Sequence, residues 1–321
     1  MFILKCKIVI GDYTFSSVHE VEITKSVEDL MDTALIKLPT KFRIRSTGEL
    51  KFIEEVIKPG DKVEITLAYD GKFEKMEFAG YVSKVSPKIP LEIHCEDAMW
   101  LLRRKNITKA FGKTTLREVL TEVVSGTGLQ LSPDIPHHPI DKLIVKEQNG
   151  TQVLQYFKEN HMMTSFIDDA GRLYCGLAQL TNIGQTAKYD LNYNLVSNDL
   201  EFKTEDDKKI KVKYTYIAKD NKKTTVEVGD PDGEIRSLNT HIVSNEAQLK
   251  EMASAELKKL KYAGFEGSVK SFLIPFATRG MAAEIIDKEH PNRKGKYFIK
   301  KVVTSFGTSG ARRTVTIGNK L

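Results

Sequence analysis

Cysteine and tryptophan are scarce: three cysteines (Cys6, Cys95, Cys175) and one tryptophan (Trp100) stand among 321 residues. Three widely separated cysteines give neither an even disulfide framework nor a metal-ligand spacing, which argues against a disulfide scaffold and a cysteine-bound zinc module. They read as buried thiols of a chain assembled in a reducing cytoplasm. No apolar run reaches the ~18 residues of a membrane-spanning helix, so no membrane span is expected. The stretch 1–10 is apolar but broken by Lys5 and Lys7. That alternation describes a strand, not the continuous core of a signal peptide.

Catalytic motifs are missing as well. Gly112-Lys113-Thr114 resembles the end of a phosphate loop, but Ile107 stands where the earlier glycine is required, so the backbone cannot wrap a phosphate. Asp230, Asp232 and Gly233 hint at a calcium loop, yet the glycine falls two places early and Pro231 intervenes; a type I or II turn accounts for them better. His137 and His138, with His161 downstream, are candidate metal ligands, but adjacent histidines diverge and Pro136 and Pro139 flank them, as in a surface loop. Asp168 and Asp169 sit where a hairpin turn favours aspartate. No Gly-x-Ser-x-Gly elbow occurs. The sequence therefore assigns no catalytic, cofactor-binding or metal-binding residue and points away from an enzyme.

Charge sets a weaker bound. The formal net charge of +6 permits an acidic partner. The cations cluster at Arg103-Arg104-Lys105, at 208–213 and at 258–261. In the second cluster Ile210, Val212, Tyr214 and Tyr216 alternate with Lys209, Lys211, Lys213 and Thr215, the pattern of a half-buried strand with one solvated face. A nucleic-acid-binding barrel would interleave aromatics with the lysines on the exposed face; here the tyrosines fall on the apolar side.

What is present is β structure, stated twice. The first statement is Pro59-Gly60-Asp61-Lys62-Val63-Glu64-Ile65, then Phe78-Ala79-Gly80-Tyr81-Val82, then Leu91-Glu92-Ile93-His94-Cys95. The second is Arg279-Gly280-Met281-Ala282-Ala283-Glu284-Ile285, then Gly295-Lys296-Tyr297-Phe298-Ile299, then Thr314-Val315-Thr316-Ile317. Each reads as a meander opened by a turn glycine, and the two are expected to share one topology. Further strands are expected at 3–10, 19–24 and 33–38. Between the two β regions lies helical pattern. Asp97 can cap a short helix carrying Trp100, Leu101 and Leu102. Thr115 and Glu118 form a capping box ahead of the stripe Leu116, Val119, Leu120, Val123 and Val124. A third helix runs over 152–161, followed by a hairpin turned at 168–171. A long helix begins at Asn245, with the stripe Leu249, Met252, Ala253, Leu257 and Leu260, and ends at Gly264.

The expected fold is α+β, mainly β: two similar small antiparallel β-barrels with an intervening α/β lobe. The expected domains are a first barrel over 1–96, the lobe over 97–186 and a second barrel over 187–321, with helix 245–263 packing on the lobe.

Four stretches together resemble the baseplate hub proteins of contractile-tailed phages, the late-control D family and the Mu-like prophage tail proteins. They are Ala34-Leu35-Ile36-Lys37-Leu38-Pro39; the strand-to-helix passage from Leu91 through Glu96-Asp97-Ala98-Met99-Trp100 to Arg104; Thr114-Thr115-Leu116-Arg117-Glu118-Val119-Leu120; and the ending from Gly295-Lys296-Tyr297 through Phe306-Gly307-Thr308-Ser309-Gly310 to Thr314. The resemblance covers nearly the whole chain as a pattern of elements. It implies a structural, non-catalytic role as a homotrimer whose ring adapts a six-fold tail tube to a three-fold spike. It also implies a place in the virion tail baseplate among other baseplate proteins, with assembly in the host cytoplasm. Only three residues follow Gly318, so the spike is expected to be a separate polypeptide. The rival functions are a tail-borne cell-wall hydrolase and a nucleic-acid-binding barrel.

Overall fold

The computed structural model describes residues 3–161, 163–176, 185–217, 222–240 and 246–321. The chain divides into two compact units. The first comprises Met1–Ala187, Lys270–Met281 and Ile299–Thr316; the second comprises Lys188–Val269, Ala282–Phe298 and Ile317–Leu321.

The first unit is built on an antiparallel ladder. Its strands follow the order Gly310–Lys320 and Gly295–Gly307, of which 310–316 and 299–307 belong to this unit, then Glu20–Ser26, Thr33–Leu38, Leu91–Glu96, Phe73–Ser86, Lys62–Tyr69, Leu4–Ile10 and Tyr13–Phe15. Alternation selects the buried face: Ile8, Ile10, Ile23, Ile36, Ile65 and Ile93 share one core, whereas Lys7, Glu22 and Glu64 stay exposed. The register sets Ile8 opposite Ile65 and Ile36 opposite Ile93, so isoleucines from neighbouring strands meet. Each such side chain contributes roughly 1.5–3 kcal/mol by leaving water.

A second core of the same unit gathers the helices Met99–Arg103, Leu116–Val124 and Gly150–His161 with the hairpin Thr164–Ile167 and Leu173–Gly176. The capping box at Thr115 and Glu118 is formed, and all five residues of its stripe are buried. The third helix starts two residues before the expected place. Asn149 Oδ1 accepts from Gln152 N–H at 2.9 Å and Gln152 Oε1 accepts from Asn149 N–H at 2.8 Å, a reciprocal cap that Asn149-Gly150-Thr151-Gln152 spells out in the sequence.

In the second unit Ile210–Ile217 lies between Lys223–Gly229, antiparallel, and Glu234–Thr240, parallel. The helix Glu246–Leu260 packs on the first two of these strands. Leu249 and Ala253 are fully buried, but Met252 of the expected stripe is 36% exposed. Asn245, the expected cap, lies outside the described residues. The parallel pairing requires the chain to cross the start of Ile210–Ile217. Gly229 makes that possible: its φ is +120°, and a Cβ there would stand 2.2 Å from the Ile210 carbonyl oxygen.

The two expected barrels are not formed. In the first unit the ladder is an open path, ending at Tyr13–Phe15, whose one neighbour is Leu4–Ile10. In the second, the strands divide among separate ladders, with Glu201–Lys203 and Gly264–Glu266 apart from the three-stranded sheet. The architecture is α+β, mostly β, with open antiparallel sheets. Turn glycines and alternation specify neighbouring strand pairs, but closure depends on how the outermost strands meet, and no local pattern encodes that. The repeated strand order does recur: Lys62–Tyr69, Phe73–Ser86 and Leu91–Glu96 are consecutive neighbours, and so are Ala282–Ile286, Gly295–Gly307 and Gly310–Lys320.

Candidate functional site

The residues weighed for chemistry stay apart or are already occupied. Gly112 and Lys113 are exposed, and nothing lies within 4 Å of a Cβ built on Gly112, so no cradle surrounds it. Asp230 Oδ2 accepts from Ile210 N–H at 3.0 Å and lies 2.8 Å from Lys261 Nζ, which spends its carboxylate on the crossover turn. His137 is exposed, while His138 Nε2 lies 3.3 Å from His161 Nδ1. Burial, and then the neighbouring His138, hold His161 below the usual imidazole range. Among the described residues no group of three or more His, Cys, Asp or Glu side chains could hold a metal ion. Asp168 accepts from Ala170 N–H, Arg172 N–H and Arg172 Nε–H, at 3.0, 2.8 and 2.9 Å, and so builds the hairpin turn. All three cysteines are buried, and burial pushes the Cys175 thiol up to about 11, where it is protonated and a poor nucleophile at neutral pH.

What the first unit does assemble is a set of buried charges. Arg313 is fully buried; its Nη2 lies 2.6 Å from Glu77 Oε1, and its Nη1 donates to the Ala277 carbonyl at 2.6 Å. The ring of Phe276 stands 4.9 Å from the guanidinium. Arg279 Nη1 pairs with Asp32 Oδ2 at 2.6 Å and its Nη2 donates to the Ile167 carbonyl. Asp97 accepts from the Asp32 and Met99 N–H groups, at 2.9 Å each. Burial, with the Asp32 charge beside it, pushes Asp97 up to about 7. The N-cap of the short helix is Ala98 rather than the expected Asp97, which stands one residue earlier, accepts from the Met99 N–H and ties residue 32 to the helix start.

The sequence carried a signal for Arg313. On its strand Ala311, Arg313, Val315 and Ile317 share the buried face, so an arginine stands at a core position and needs a buried acid. Which acid, Glu77, is settled only by the fold.

A cleft of about 640 Å³ in the first unit is lined by Asp32, Glu77, Asp97 and Asp168, among others. Three of these acids are engaged by Arg279, Arg313 and Arg172, and the fourth by two backbone N–H groups. The arrangement fastens remote chain segments; it presents no paired acid and base.

This fold is similar to that of solved phage tail proteins. The particular likenesses are to the 43 kDa tail protein of prophage MuSo2 from Shewanella oneidensis, at TM-score 0.66 and 17% identity over 98% of this chain and 97% of that one, and to a tail protein from Neisseria meningitidis MC58, at TM-score 0.65 and 13% identity over 99% and 96%. The E. coli c3393 protein, a type VI secretion component structurally similar to the T4 tail proteins gp27 and gp5, follows at TM-score 0.58 and 11% identity over 98% of this chain and 76% of that one. Compared as a sequence, the chain matches no protein-family model and no curated protein.

Proposed function

We propose that this chain is a structural hub of a phage-like tail baseplate, a homotrimer whose ring adapts a six-fold tail tube to a three-fold spike. The observation that carries the reading is the meander that occurs twice in one chain, Lys62–Tyr69 through Leu91–Glu96 and Ala282–Ile286 through Gly310–Lys320. A trimer that presents one strand pattern twice per protomer offers about six similar positions, the number a six-fold tube needs. The full-length likeness to two phage tail proteins supports the same role. Contacts in such a ring are heterologous, each copy meeting the next through two different patches.

Light scattering on the purified protein, with negative-stain microscopy, tests this. Three copies per particle and a three-lobed ring with a central hole are expected, alone or with the tube protein. A particle that stays monomeric with the tube protein present contradicts the reading. The hydrolase rival is tested separately: the protein is expected to leave peptidoglycan intact, and turnover abolished by one His or Asp substitution would overturn that expectation.

A further inference from the structure

One ribbon of the first unit stands off the main ladder. Lys41–Arg43 and Leu50–Phe52 pair only with each other, as a two-stranded sheet. Its register sorts the side chains by face. Lys41 is opposite Phe52 and Arg43 opposite Leu50, whereas Phe42 is opposite Lys51 on the other side. The Phe42 face is the anchored one: its ring meets Tyr13 at 5.4 Å and Phe15 at 5.2 Å, both edge-on, and Ile53 just beyond is fully buried. The cation on that face, Lys51, is neutralised by Glu49 at 2.5 Å.

The opposite face is left unfinished. Leu50 and Phe52 are 43% and 44% exposed, and Lys41 and Arg43 are exposed beside them. Among the described residues, neither Lys41, Arg43 nor Arg45 at the tip has a carboxylate within ion-pair distance. Arg43 instead donates to the Gly48 carbonyl, which stiffens the turn. Each cation on this face therefore stands across from an exposed apolar side chain, with no acid among the described residues paired to it.

We infer that this face of the 41–52 ribbon is a docking arm for an acidic, partly apolar protein surface. The inference rests on the hub reading, under which that surface belongs to the tail tube. Charge complementarity favours an acidic partner, because facing carboxylates would steer encounter with three cations that pair with no acid among the described residues. The apolar pair demands a protein rather than a phosphate backbone: Leu50 has no ring to stack on a base, and both apolar residues need a recess to leave water.

The test uses the full chain and polymers of its cognate tail-tube protein, in a co-sedimentation assay at low and high salt. Lys41→Glu with Arg43→Glu is expected to weaken binding at least about tenfold at low salt, with the difference shrinking at high salt as screening removes the charge term. Leu50→Ser with Phe52→Ser is expected to weaken binding at both salts. Circular dichroism checks that both variants keep the fold, as exposed positions allow. If wild type binds the tube and both folded variants bind equally well, the arm is overturned and the hub reading stands. If the variants lose their oligomeric mass but still bind the tube, a second copy is the occupant and the arm is again overturned. Wild-type binding to short duplex DNA that the charge reversal abolishes, with tube binding unchanged, likewise overturns it in favour of nucleic acid. A wild-type trimer that ignores the tube overturns both the hub reading and the arm.

Discussion

The two units tie their strands together in different ways. The first sinks arginine–carboxylate pairs out of water: Arg313 and Glu77 have side chains 0% and 3% exposed. The second pairs a buried lysine, Lys208, whose side chain is 7% exposed, with an acid that keeps contact with water. Lys208 Nζ lies 2.7 Å from Glu266, whose side chain is 41% exposed, and 3.6 Å over the ring of Tyr262. Both devices join segments distant in sequence, but their energetics differ. Breaking a buried pair strands a charge in a medium that cannot solvate it, whereas a wet pair is replaced by water at small cost. The lesson is that an ion pair's weight is set by what its loss leaves behind.

The largest effect is expected from deleting residues 311–321. It removes the buried Ala311, Arg313, Val315 and Ile317, orphans Glu77 and leaves Gly295–Gly307 without one neighbour. Two apolar side chains at ~1.5–3 kcal/mol each, with an unpaired edge added, predict an insoluble or misassembled product. A soluble product with the wild-type melting temperature and mass would show that the strand does not hold the unit together. Removing only residues 319–321, all exposed, is expected to leave solubility and melting temperature unchanged.

Next comes Arg313→Met, expected to cost about 3–5 kcal/mol in urea unfolding, with most of the loss restored by adding Glu77→Met. Lys208→Met is expected to cost only about 1 kcal/mol, because Glu266 remains accessible to water. Equal costs for the two single variants would erase the contrast between the units.

Asp97 sharpens the contrast with a pH dependence. Its folded pKa of about 7 lies above the ordinary 3.8, so the folded protein holds a proton that the unfolded chain releases. That stabilising contribution is complete below the unfolded pKa and is lost as pH rises through the folded one. The stability advantage of wild type over Asp97→Asn is therefore expected to shrink from about pH 4 to about pH 7, between the unfolded and folded values. An advantage constant over that range would mean that Asp97 is ionised throughout.

Much of this was legible in the sequence. Thr115-x-x-Glu118 fixed a helix start, alternation fixed the buried faces of Leu4–Ile10 and Gly310–Lys320, and the repeated turn glycines marked both meanders. The Asn149 cap is equally readable in Asn149-Gly150-Thr151-Gln152, although the expected helix begins two residues later. A Cβ at Gly150 would stand 3.0 Å from Leu102 Cβ, so the glycine is there for close packing. Met252 lies off the buried face of its helix, where Leu249 and Ala253 are fully buried and Leu257 stands against Gly229 of the sheet. Barrel closure was not legible at all. Gly295–Gly307 pairs with Glu20–Ser26, more than half the chain away, and no local periodicity selects such a partner. The buried site was half legible, since an arginine on a core face announces a buried acid but not its number.

The most direct measurement of the central claim is a cryo-electron microscopy reconstruction of the protein bound to its tail tube, without imposed six-fold symmetry. Three copies facing six tube subunits are expected, with the two meanders of each copy meeting successive subunits. A ring in which only one meander of each copy approaches the tube, or in which six copies meet six subunits one to one, would contradict it.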